Sequence, residues 1–224
     1  MRLRTREYLA MGAALPLLVG CAAEQGGQQP DQIGPEATGT YNTKLYPSQQ
    51  EHVRQNFNRD VAFWKSHGVG KIASTKLVIL SGLKAGFDCP MDKDHEAHYK
   101  ASSMTTFCAS KNTVVFTGIT LHIELSEGAG QKGADYALDH EIGNAVQYAK
   151  GDLTPKMLFD TKRATKLEAQ AACFAGLIAN EFDQRSILPI HTYLETLDHS
   201  PHPTKQAPAY MQGVNTGNCD SLLQ

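Results

Sequence analysis

Five cysteines, at positions 21, 89, 108, 173 and 219, constrain what this chain can become more than any other feature. Cys21 stands apart from the rest. Arg2, Arg4 and Arg6 precede an apolar run from Tyr8 to Gly20, which ends Leu18-Val19-Gly20-Cys21. A positive start and a short apolar stretch form an export signal, and that stretch is too short to stay in a bilayer as a spanning helix. A cysteine immediately after it matches a bacterial lipoprotein signal, in which the thiol takes a diacylglycerol and cleavage leaves that cysteine first. The alternative is an ordinary secretory signal with an incidental cysteine.

The expectation is therefore a lipoprotein signal over 1–20, a tether over 21–47 that begins at lipidated Cys21, and a folded domain over 48–224. Removal of the signal takes Arg2, Arg4, Arg6 and Glu7 with it and moves the formal charge from −2 to −4. From Ala22 to about Thr43 the chain is mostly Gly, Gln, Pro, Glu and Thr, the composition of a flexible spacer. These features predict an exported protein of the cell envelope, held to a membrane by acyl chains. With 21 basic against 23 acidic residues, the chain lacks the electrostatic footprint of a nucleic-acid binder.

An exported domain matures where disulfides persist, so Cys89, Cys108, Cys173 and Cys219 predict two bridges, with three connectivities open. The local pairs Cys89–Cys108 and Cys173–Cys219 are preferred. They close loops of about 20 and about 46 residues, worth roughly 3 to 4 kcal/mol each in the chain-entropy account. No Cys-x-x-Cys spacing supports a zinc ribbon.

Within the folded part, Val53, Phe57, Val61 and Trp64 draw one helical stripe through Gln50–His67. Lys76–Leu80 and Asn112–Gly118 read as strands, each bounded by turn residues. Between them Lys84–Lys111 reads as a polar segment carrying two of the cysteines. Helices are predicted over Gly133–Lys150 and Pro155–Asp183, followed from Leu188 by a tail rich in Pro, His, Gly and Asn that a Cys173–Cys219 bridge would pin back. Helix, strands, then helices predicts an α+β domain of about 175 residues with a small β-sheet.

The chemistry-bearing stretch is Asp139-His140-Glu141-Ile142-Gly143-Asn144-Ala145-Val146-Gln147, followed by Leu167-Glu168-Ala169-Gln170-Ala171-Ala172-Cys173-Phe174-Ala175-Gly176. In a His-Glu-x-x-His helix the two histidines, four residues apart, reach one zinc ion, and the glutamate activates the metal-bound water. A glutamate from a later helix commonly completes the protein ligands. His140, Glu141 and Glu168 fit three of those roles. Asn144 occupies the fourth.

These residues resemble the bacterial neutral zinc metallopeptidase family. Phe63-Trp64, Phe107-Cys108, Asn112-Thr113-Val114-Val115-Phe116, both helix segments above, and His202, Gly213 and Cys219-Asp220 follow that family's order over most of the chain after about Asn58. The resemblance implies a zincin-like domain with metal-site helices, His140 and Glu168 as zinc ligands, Glu141 as general base, and peptide-bond hydrolysis. By analogy the Asn112–Gly118 strand would be an edge along the cleft, pairing with an extended substrate. Two departures stand against activity. Asn144 replaces a ligand histidine, and Ala172 replaces an aspartate best understood as a carboxylate orienting a ligand.

The expectation is a degenerate member with zinc weak or absent and little or no peptidase activity, acting by binding a peptide or an envelope protein. The alternative is an active zinc peptidase with an incomplete ligand set; a third reading makes the His-Glu pair coincidental in a surface lipoprotein. His122 is a substitute ligand in principle, although a lone histidine is more often structural. Asp94-His95-Glu96-Ala97-His98 would present two histidines together on a helix, but without a third partner it reads as a solvated polar segment.

Overall fold

The computed structural model describes residues 43–224 except 91–95, 101–103, 127–128, 156, 158–159 and 199–204. The signal, Cys21, most of the tether, Asp94, His95 and His202 lie outside the described residues. Helix α1 (Pro47–Ser66) opens with proline at its first position, where a missing N–H costs nothing, and the Gln49 side chain accepts from the Tyr46 N–H at 2.8 Å. Its stripe buries Val53, Phe57 and Trp64, together with Phe63 and the polar Asn56 and Asp60.

Strand β1 (Lys76–Leu80) follows a short 3-10 turn over Gly70–Ser74. The polar segment after it is not featureless. It holds an antiparallel hairpin, β2 (Gly86–Pro90) and β3 (Glu96–Lys100), and then β4 (Thr106–Cys108). Glu96 and His98 thus lie on a strand, not on the helix that a two-histidine metal pair would need.

Strand β5 (Thr113–Thr117) runs parallel to β1, with Lys76 opposite Thr113, and antiparallel to β4, with Phe107 opposite Val114. The sheet order is β1-β5-β4. This overturns the expectation that Asn112–Gly118 forms an edge along a cleft. β5 is paired on both sides and buried at every position, as its run of Val114, Val115 and Phe116 would suit, so its backbone has no free side for a peptide. The edge beside the motif helix is β4.

Helix α2 (Gly118–Ser126) follows β5 directly, so His122 is helical, and α3 (Gly130–Lys150) carries the His-Glu pair. α4 (Thr161–Phe182) starts later than Pro155 because Asp160 caps it, accepting from the N–H groups of Lys162 (3.0 Å) and Arg163 (3.1 Å). The tail expected from Leu188 contains two further helices, α5 (Ile187–Asp198) and α6 (Gln206–Thr216). Their apolar residues Ile190, Leu194, Ala207 and Tyr210 form a second cluster against Ala175 and Ala179 of α4.

The result is an α+β fold with a small mixed three-stranded sheet, in which α3 is buried between the sheet, α1 and α4. Both disulfides join the preferred partners: Cys89–Cys108 ties the hairpin to β4, and Cys173–Cys219 ties α4 to the segment after α6. Among the described residues no helix is long and apolar enough to cross a membrane.

Candidate functional site

Helix periodicity places His140, Glu141 and Asn144 on the part of α3 that faces α4 and β4, and all three are buried. Glu168, in the second turn of α4, remains partly exposed and points back at α3. His140 Nε2 lies 2.9 Å from Glu168 Oε2. The expected ligand pair therefore converges, but as a direct hydrogen bond.

The other imidazole nitrogen is occupied too. His140 Nδ1 is 3.4 Å from the Tyr136 hydroxyl, which itself donates to Gln206 Oε1 at 2.9 Å. A hydroxyl whose proton is committed elsewhere can only accept from Nδ1–H. Burial disfavours a charged imidazole, yet the Glu168 hydrogen bond and charge, with help from Glu141, outweigh it and hold the His140 pKa above its ordinary value. Both imidazole nitrogens are thus engaged within the chain, Nε2 by Glu168 and Nδ1 by Tyr136.

Glu141 Oε2 accepts from two donors, the Phe107 backbone N–H at 2.8 Å and Asn144 Nδ2 at 2.9 Å. Phe107 belongs to β4, so the outward N–H of the edge strand is spent inside the molecule. Burial nevertheless dominates the electrostatics of this carboxyl. It raises the Glu141 pKa to about 7, against the opposing pull of the His140 charge and the two hydrogen bonds.

Asn144 gives its amide N–H to Glu141, and its buried Oδ1 has no hydrogen-bond partner among the described residues. Zinc prefers histidine nitrogen, cysteine sulfur and carboxylate oxygen. One imidazole, one carboxylate and one amide make an incomplete set for it. Among the described residues no three His, Cys, Asp or Glu side chains, His122 included, are placed to share an ion. Ala172, one turn beyond Glu168, is fully buried in the main core.

A second polar cluster adjoins the first through Asp139. Arg59 Nε binds Asp60 Oδ1 at 2.6 Å, and its Nη2 lies 3.7 Å from Asp139 Oδ1. Burial, followed by the Asp60 charge, pushes the Asp139 pKa well up. His52 and Asn56 meet Asp135 at 2.8 and 3.1 Å on the same side of α1.

Comparison with protein-family models, with curated proteins and with solved structures finds no match to this chain. Sequence reasoning located His140, Glu141, Asn144 and Glu168 but missed Tyr136, Gln206 and the role of the Phe107 N–H. Tyr136 was within reach, since it precedes His140 by four residues on one helical face. Gln206 and Phe107 come from distant elements and leave no local signal.

Proposed function

We propose that this protein is a cell-envelope lipoprotein, anchored through Cys21, whose domain is a catalytically degenerate, zincin-like relative of the bacterial neutral zinc metallopeptidases and acts by binding a peptide or an envelope protein. The observation that carries this reading is the pair of hydrogen bonds at the metal position. His140 spends Nε2 on Glu168, and Asn144 spends its amide on Glu141, each at 2.9 Å. A base without a metal-bound water has no nucleophile to activate.

One observation favours the alternative of a working peptidase with an incomplete ligand set. His140 and Glu168 are held within reach of one another, and Glu141, with its pKa raised to about 7, is tuned as a general base would be. Zinc analysis of the purified protein beside an Asn144→His/Ala172→Asp variant separates the two. The degenerate reading expects far less than one zinc per chain in the unmodified protein and a gain in the variant. Stoichiometric zinc with chelator-sensitive proteolysis in the unmodified protein would overturn it.

A further inference from the structure

Away from the His140 site, a cleft of about 490 Å³ opens where the ends of α1 and α3 meet the middle of α4 and the segment after α6. Its volume lies in the range of small-molecule sites. None of His140, Glu141, Asn144, Phe107 and Glu168 lines it.

Trp64, Phe174 and Leu177 give it an apolar floor, with the two aromatic rings edge to face at 4.9 Å. Lys71, Lys150 and His67 bring positive or titratable groups to its wall, against a single carboxylate, Asp220. Lys150 already neutralises that carboxylate at 2.5 Å. Lys71 is exposed and has no ion-pair partner shown among the described residues.

Three helices end near this cleft, and free terminal carbonyls would favour a cation. Some of those carbonyls are satisfied within the chain. The His67 N–H returns to the Phe63 and Trp64 carbonyls, the Gly151 N–H to Gln147 and Tyr148, and the Gly217 N–H to Gly213. The charged side chains of the wall, Lys71 and Lys150 against Asp220, sum to one positive charge.

We propose that this cleft binds a carboxylate carrying an apolar or aromatic group, with the carboxylate at Lys71 and the apolar part over Trp64 and Phe174. Such a group occurs in free acylated amino acids and at peptide C-termini. Trp64 is the only tryptophan in the chain, so its emission reports on the cleft directly.

The test titrates the mature chain with N-acetylphenylalanine, its C-terminal amide, and a pentapeptide ending in phenylalanine with a free carboxylate. The free acid should shift Trp64 emission saturably, the amide should bind at least tenfold more weakly, and Lys71→Glu should cost the acid at least tenfold. A pentapeptide as tight as the small acid assigns peptide ends as the ligand, and a weaker one assigns small acids. No saturable shift with any free carboxylate, or equal binding of acid and amide, would overturn the proposal.

Discussion

Asn144 Nδ2 donates to Glu141 Oε2 at 2.9 Å, one helical turn apart on α3. The residue at the position of a ligand histidine is thus bonded to the glutamate that such a metal site would use as its base. Together with the Phe107 N–H it fixes one oxygen of a carboxyl whose burial alone would push its pKa still higher.

Removing that donor should therefore move the titration. Asn144→Ala leaves Glu141 Oε2 with only the Phe107 N–H, so the Glu141 pKa should rise above about 7. Carbon-13 NMR titration of labelled glutamate reads this directly, and an unchanged or lower value would show that the hydrogen bond does not tune the group.

Glu141 should also make stability depend on pH. Its folded pKa of about 7 lies above the ordinary 4.5, so its contribution is complete below pH 4.5 and is lost as pH rises through about 7. The shift corresponds to roughly 3 kcal/mol at most. Glu141→Gln should be more stable than the unmodified protein at pH 8, with the difference shrinking toward pH 5. Urea unfolding at the two pH values checks this, and a difference independent of pH would refute it.

The crossing of α4 and α6 should not tolerate side chains. A Cβ at Gly176 would meet the Tyr210 carbonyl oxygen at 2.0 Å, and one at Gly213 the Cys173 oxygen at 1.9 Å. Both contacts are with backbone, which cannot swing aside. Gly213→Ala should cost about 3 kcal/mol or more. Gly70→Ala, where nothing lies within 4 Å, should leave the urea midpoint nearly unchanged.

The Cys173–Cys219 bridge spans 46 residues and closes over both α5 and α6. Its loss in a Cys173→Ala/Cys219→Ala variant should lower stability by about 4 kcal/mol on the chain-entropy estimate. The variant should melt well below the unmodified protein, and an equal melting temperature would mean that packing alone holds the C-terminal segment.

If the leader is a lipoprotein signal, Cys21→Ala should release the exported protein from membranes into the soluble fraction, and the mature N-terminal peptide should carry acyl mass at Cys21. An unmodified Cys21 would place the chain with ordinary secreted proteins.

The sequence by itself determined what depends on local spacing and composition. It specified the α1 stripe, the β1 and β5 runs and the α3 helix, and it favoured, among three connectivities, the local pairing of four cysteines that the fold shows. It also put His140, Glu141 and Asn144 on one helix and marked Glu168 as their partner. It did not reveal α5 and α6, because Pro189 and His191 in the one and Pro208, Gly213 and Asn215 in the other read as loop, while Cys173–Cys219 and the close α4–α6 crossing supply the stability that propensity lacks.

Nor could it decide which strand was the edge. That depends on Phe107 and Thr113–Thr117 meeting across a register that only the folded sheet defines. The state of the site was likewise a tertiary matter. Tyr136, Gln206, Phe107 and Glu168 come together at His140 and Glu141 from four separate elements, and their donors and acceptors engage both imidazole nitrogens and one oxygen of the Glu141 carboxyl.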